Sequence, residues 1–361
     1  MITAIEAGIS ISIILVILGF LLHDKKGLAI IQMVWIWILV AFNNGGIDYD
    51  GNEWLYENAE NISQTDFGLT EWLNISLSTC FYNNGFSYLE YTVLTTSIML
   101  LVLYWLVFMR VNKCSLFLSL FMIYPLIYVI IHKRFTLAMM VVVIAFLMLE
   151  KGYRKISCIF ILLSSGFHLS TLMMLPFLFY EKITMLSKSI WISILVMECI
   201  LLYAGNDIVL LLVADESMKA GDYMAANISL YAGILYAGTE LLMIFFTYRI
   251  VRSTERDNDS LDSGRRFIQG INVFSLLYCP LLFLNAAFFR YYRIVALTSF
   301  FFMVNEIKGS WNYNTTRYYA FWAYILLMVF SQSIVFTYGK VDWQVHLQTL
   351  FEYNKILQMI F

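Results

Sequence analysis

Over 361 residues the chain is 61% hydrophobic and only 13% charged, with a formal net charge of −2 and a mean hydropathy of +0.74. A soluble globular domain of this size does not carry that balance, whereas a transmembrane helix needs ~20 consecutive apolar residues and this chain supplies such runs almost end to end. Nothing in it resembles a soluble catalytic module or a nucleic-acid-binding surface, and its five cysteines (Cys80, Cys114, Cys158, Cys199 and Cys279) show no paired spacing of the kind a disulfide or zinc site uses.

In chain order, apolar runs predict spans near 4–22, 27–42, 89–109, 115–131, 135–149, 189–204, 228–248, 267–289, 294–307 and 318–338. Backbone groups in hydrocarbon must be satisfied within the segment, and continuous apolar runs do not fit the alternation of barrel strands, so the spans are helices. The first, 4–22, lacks a basic leader and a small-residue cleavage site and reads as a retained span. Lys25 and Lys26, Arg110 and Lys113, Lys151, Arg154 and Lys155, and the run Arg249 to Arg266 mark cytoplasmic connections. The stretch 44–90 holds eight acidic residues and no lysine or arginine, so the loop 43–88 belongs outside.

Segment 156–180 is ambiguous and is tested by parity. Lys155 and Arg249 are both expected inside, yet 156–180, 189–204 and 228–248 would make three crossings between them. A re-entrant hairpin, bent near Ser164-Ser165-Gly166 and returning through Pro176, restores an even number; the rival repair keeps 156–180 as a span and dips 208–214 into the membrane. The expectation is a single polytopic all-α integral membrane domain over 1–361, with about ten transmembrane helices. To these are added the hairpin 156–180, a second outer loop at 206–227, a cytoplasmic loop at 249–266 and both termini outside.

That topology brings scattered charges to one face. Arg134 falls at the outer end of 135–149, Arg290 and Arg293 at the outer junction between 267–289 and 294–307, and His168 near the bend of the hairpin. Asp48, Tyr49 and Asp50 lie in the acidic loop above. Intramembrane arginine is costly and usually meets protein or an anionic ligand. Guanidinium forks onto phosphate, and imidazole moves protons near neutral pH. The carboxylates of Asp48 and Asp50 suit a sugar hydroxyl, and aromatic residues at 17% of the chain supply flat surfaces for sugar rings. Each residue also has a plainer role: arginine snorkels to headgroups, a lone histidine bonds a neighbouring helix, and aspartates shape Gly-rich turns. Glu198 and Glu240, within spans, fit polar interhelical contacts or a proton path. H-E-x-x-H, C-x-x-C, Walker and G-x-S-x-G patterns are absent from the sequence.

The order of these pieces resembles the EpsG family of Wzy-type polysaccharide polymerases over most of the chain. Gly46-Ile47-Asp48-Tyr49-Asp50, with Trp54 and Tyr56 downstream, is similar to the family's outer-loop Gly-x-Asp-Tyr element. Arg134-Phe135-Thr136-Leu137-Ala138 resembles its Arg-x-x-Leu/Ile-Ala helix start, and Gly166-Phe167-His168-Leu169-Ser170 through Leu175-Pro176 its Phe-His-x-Ser. A late arginine corresponds to Arg290 or Arg293. Asn43 and Asn44 stand where an arginine commonly precedes the first element, and Asn83-Asn84-Gly85-Phe86 replaces a Glu-Pro-Gly-Phe.

The resemblance implies a glycosyltransferase of O-antigen, capsule or exopolysaccharide assembly, multi-pass in the bacterial cytoplasmic membrane. It would move a growing glycan from an undecaprenyl-diphosphate carrier onto another lipid-linked repeat unit. His168, helping to deprotonate the acceptor hydroxyl or orienting the donor, Arg134 and Asp48 would be catalytic; Arg290, Arg293, Tyr49, Asp50 and Trp54 would bind substrate. No metal or cofactor is expected, since arginines supply the charge. Partners would be the lipid-linked oligosaccharide and the bilayer, with a flippase and a chain-length regulator as companions, and no nucleic acid. A lipid-linked sugar flippase and a membrane O-acyltransferase are the competing readings.

Overall fold

The computed structural model describes residues 3–63, 71–181, 196, 230–251, 259–283, 288–307, 315–338 and 343–361. The expected span 189–204, apart from Val196, and the outer loop 206–227 lie outside the described residues, as does part of the loop 249–266. Among the described residues regular structure is helical throughout, with a single isolated bridge between Asn43 and Asn354. Four helices among the described residues are long and apolar enough to cross a membrane: Ala4–Leu21, Tyr88–Arg110, Tyr231–Val251 and Ser263–Phe283. Shorter apolar helices include Lys26–Ala41 and Cys114–Ile123.

The chain divides into two units. The first comprises Met1–Val141, Leu162–Leu169 and Gly339–Phe361; the second comprises Val142–Ile161 and Ser170–Tyr338. In the first, α1 (Ala4–Leu21), α2 (Lys26–Ala41), α6 (Tyr88–Arg110), α7 (Cys114–Ile123) and α8 (Leu126–Ile131) pack on one another. The expected span 115–131 is broken here into α7 and α8 at Pro125, whose ring removes a backbone donor. Polar side chains knit these helices together, as they do where hydrocarbon offers no alternative partner. Gln32, fully buried, donates to the Leu15 carbonyl and to Ser119 Oγ at 3.0 Å each. Trp35 Nε1 donates to Ser12 Oγ at 3.0 Å, and Tyr104 to the Met33 carbonyl at 2.7 Å. Gly19 lies directly against Ser119 and Gln32, where a side chain would collide.

The acidic loop is itself helical, as α3 (Tyr49–Glu57), α4 (Ala59–Ile62) and α5 (Trp72–Asn83). Tyr49, Tyr56, Tyr88 and Tyr91 form the buried aromatic cluster that holds α3 to α6. The C-terminal helices α15 (Trp343–Leu347) and α16 (Lys355–Ile360), with a π-helical turn Gln348–Glu352 between them, close the unit. Asn354 caps α16 through Ile356 N and Leu357 N and donates to the Ile38 carbonyl at 2.7 Å.

Within the second unit, α11 (Leu230–Val251), α12 (Asp259–Ser275), α13 (Phe289–Glu306) and α14 (Thr315–Tyr338) pack together. The expected span 267–289 changes from α-helix to a 3₁₀ stretch, Leu276–Phe283, around Pro280. Arg265 forks onto the Glu306 carboxylate at 2.8 and 2.7 Å, joined by Arg317 at 3.5 Å. Asn272 donates to Ser299 Oγ at 2.9 Å.

Residues 154–181 turn back on themselves. Helix α10 (Arg154–Ser165) ends at Gly166, and Phe167 N and His168 N both return to the Ser164 carbonyl, at 3.0 and 3.1 Å. A 3₁₀ stretch, Leu169–Phe179, follows with Pro176 inside it. Arg154 then pairs with Glu181 at 3.0 Å, so the segment ends beside its starting residue.

Candidate functional site

Helix α9 (Lys133–Glu150) begins directly after α8, and its junction carries three consecutive basic side chains, His132, Lys133 and Arg134. The backbone there is fixed on both sides: His132 N donates to Tyr128 O at 2.9 Å, and Thr136 N donates to His132 O at 2.8 Å. Each of the three side chains goes to a different group of the first unit.

Arg134 donates through Nη1 to Glu71 Oε2 at 2.6 Å and through Nε to Asn52 Oδ1 at 2.9 Å. Glu71 is only 2% exposed. An ionised carboxylate this deep is tolerated because a guanidinium neutralises it. His168 Nδ1 lies 3.9 Å from Glu71 Oε1, within charge range but beyond a hydrogen bond, and its ring meets Phe135 edge to face at 5.5 Å. Glu71 is thus shared between the arginine and the imidazole. The chain around it is locked to the hairpin bend: Leu73 N and Asn74 N both donate to the Gly166 carbonyl at 2.9 Å.

Lys133, buried, donates to the Asn43 carbonyl at 3.1 Å and lies over the Tyr49 ring at 5.6 Å from its centroid. His132 Nδ1 is 3.0 Å from Asp48 Oδ2, and its ring stacks on Tyr128. Asp48 holds φ +61°, a left-handed conformation that non-glycine residues rarely adopt. It occupies the N-cap position of α3 but makes no side-chain cap; its carboxylate goes to His132 instead. Aspartate is a preferred N-cap residue, so this placement forgoes a local stabilisation in favour of the imidazole. Asn52 donates to the Asp48 carbonyl at 2.7 Å while accepting from Arg134, tying the two charged pairs together.

Asp48, Arg134 and His168, far apart in sequence, therefore lie on one connected network of the first unit. Tyr49 belongs to its frame: the ring is buried and the hydroxyl donates to Asn44 Oδ1 at 2.9 Å. Asp50 is exposed in the first turn of α3, and Trp54 is 56% exposed further along it. Arg290 and Arg293 belong to the second unit, on α13, where Arg293 is buried and Arg290 partly so. Lys133 and Arg134 help line a small cavity of about 20 Å³, with Asn74, Ser78, Tyr91 and Thr96 among its polar residues and Val40, Met99 and Val129 among its apolar ones. That is room for one water.

Glu71, Asn52 and His132 are the members that sequence reading passes over. Glu71 is one acid among seven in its loop. Its signal was a charge balance: the intramembrane Arg134 needs an acid, and Glu71 is flanked by Leu69-Thr70 and Trp72-Leu73, an apolar setting unlike that of a solvated loop acid.

The fold and the site define a class: a membrane-embedded, all-α protein whose arginine and histidines are braced by carboxylates of an acidic loop. Residues 26–354 match the family model described as EpsG family, and the chain belongs to that family. Searches of curated proteins and of solved structures return no match. Family membership connects the chain with polysaccharide biosynthesis and a polymerase-like activity.

Proposed function

We propose that this protein is a Wzy-type polymerase, a glycosyltransferase at the outer face of a bacterial cytoplasmic membrane. It transfers a growing glycan from an undecaprenyl-diphosphate carrier onto the terminal sugar of a second lipid-linked repeat unit. The observation that carries this reading is the Arg134–Glu71–His168 cluster joined to the Asp48 loop. A lipid diphosphate leaving group needs positive charge where its anion develops, and positioned charge is typically the largest catalytic contribution. Arg134 supplies that charge on the donor side. His168, held near the same carboxylate, orients the donor, and Asp50 and Trp54 present the exposed face of α3 to the acceptor sugar.

The hairpin 154–181 fits this reading. A 12-residue helix rises about 18 Å, short of the ~30 Å hydrocarbon core. The segment enters from the cytoplasmic side and returns to it, carrying His168 at its turn.

Purified protein supplied with defined diphosphate-linked repeat units on the outer leaflet tests the proposal. Long glycan is expected, and Arg134→Ala and His168→Ala are expected to abolish it while leaving inserted, folded protein. Products without a new glycosidic bond would point to transport instead, and incorporation of labelled acyl groups to O-acyl transfer.

A further inference from the structure

We infer that His132, oriented by Asp48, is the general base that takes the proton from the acceptor hydroxyl. The inference rests on the polymerase reading and assigns the one role that reading leaves open. Two imidazoles border Arg134, and they are held differently. His168 Nδ1 is 3.9 Å from Glu71 Oε1, and the other oxygen of that carboxylate is engaged by Arg134 at 2.6 Å. His132 Nδ1 meets Asp48 Oδ2 at 3.0 Å, a hydrogen bond in which the ring donates to the carboxylate. That bond keeps the Nδ1 proton in place and puts the basic lone pair on Nε2. It also stabilises the imidazolium that forms when Nε2 takes a second proton.

Three features show that the pair is built to be rigid. The backbone of His132 is hydrogen-bonded on both sides, to Tyr128 and from Thr136. Its ring stacks on Tyr128 with 15° between the planes. Asp48 adopts a strained left-handed conformation and makes no side-chain cap at its own helix while it reaches the imidazole. Strain of this kind persists only where surrounding structure enforces it, and it clusters at functional sites. The His132 side chain is 34% exposed against 15% for His168, so a hydroxyl arriving from the aqueous side reaches it more readily. The neighbouring charges in sequence are Lys133, turned to Asn43 and Tyr49, and Arg134, turned to Glu71 and Asn52.

The step balances. The acceptor O–H proton passes to His132 Nε2, and the acceptor oxygen forms a bond to the anomeric carbon of the donor sugar. The bond from that carbon to the lipid diphosphate breaks with its electron pair, giving a diphosphate anion beside Arg134. The imidazolium then returns its proton to water.

The test uses the full chain in lipid nanodiscs with diphosphate-linked repeat units, following bond formation from pH 5.5 to 9. His132→Gln is expected to lower kcat by about 100-fold, to change the donor KM by less than about threefold, and to lose the acid limb of the pH profile. Asp48→Asn is expected to slow the reaction and move that limb to lower pH, because the imidazolium loses its counter-charge. Added imidazole is expected to restore turnover to His132→Gly, a readout independent of how well the glutamine variant folds. An active wild type together with a His132→Gln enzyme of equal kcat and unchanged acid limb would overturn the assignment alone. So would a His132→Gly enzyme that imidazole does not rescue. A wild type that forms no glycosidic bond would overturn the polymerase reading, and this assignment with it.

Discussion

Glu71 decides the electrostatics of the site. At 2% exposure it is buried more deeply than either Arg134 or His168, and Arg134 takes one of its oxygens at 2.6 Å. Removing one partner of a buried pair leaves the other charge uncompensated, at a cost of about 3 kcal/mol. Glu71→Ala is therefore expected to lower the melting temperature of the purified protein by several degrees and abolish long glycan. Glu71→Gln keeps the shape and a hydrogen bond to Arg134, and is expected to melt between the two. A Glu71→Ala protein with wild-type melting would show that the pair contributes no stability. A second acid acts in the opposite sense. Burial first, then Glu57 and Asp50, push the Glu53 carboxyl above the ordinary glutamate range. The folded state thus holds this proton to higher pH than the unfolded chain does. The associated stability is present below the unfolded pKa and is lost as pH rises through the folded one. Glu53→Gln should melt higher than wild type at pH 7.5, with the advantage shrinking toward pH 4. A difference independent of pH would contradict that sign.

Elements place these residues through contacts that hydropathy does not register. The loop Asn43–Asp48 is gripped by the C-terminal segment, more than 300 positions away. Asn43 Nδ2 donates to the Thr349 carbonyl, Asn44 N donates to the Tyr353 carbonyl, and Gly46, at φ +91°, lies directly against Thr349. Asn354 binds the end of α2 and caps α16 together, so Asn354→Ala removes a cap and carbonyl bonds at once. A loss of about 2 kcal/mol is expected from the cap and the unsatisfied carbonyls. It should appear as earlier thermal unfolding and slower polymerisation, since Asp48 hangs from the same loop. At the hairpin bend a Cβ on Gly166 would come within 2.8 Å of Leu73 Cβ and 3.1 Å of the Trp72 ring. Gly166→Val should push the bend away from Glu71 and abolish product in membranes that still contain the protein. Full activity in that variant would mean the bend need not lie against α5. The helices themselves were legible as apolar runs. The breaks at Pro125 and Pro280 were not predicted as breaks, although proline marks both. The helical interior of the acidic loop and the C-terminal clamp were not legible, because short amphipathic pieces and asparagine bonds leave no hydropathy signal.

Across the molecule, charge alone carried much of the organisation that could be read in advance. Arg134 and His168 were picked out as misplaced polar groups and Asp48 as a carboxylate of the acidic loop, and the first unit holds all three in one network. Glu71 and His132 escaped, because a loop acid and a helix-end histidine look ordinary until their partners are known. The sidedness of the chain is the claim with the widest reach, and the place of His168 at an outward bend depends on residues 154–181 returning to their starting face. Lys155 and Glu181 are both exposed, at the two ends of that segment. Replacing each singly by cysteine in a cysteine-free background disturbs little, because a surface ion pair such as Arg154–Glu181 contributes at most ~1 kcal/mol. A membrane-impermeant maleimide applied to intact spheroplasts should label neither position, should label both after permeabilisation, and should label a cysteine at the exposed Asp50 from outside. Labelling of 181 from outside while 155 stays protected would make the segment a full crossing. Arg249 could then stay cytoplasmic only if the chain between 182 and 229 crossed an even number of times, and the count of spans would have to be redrawn from there.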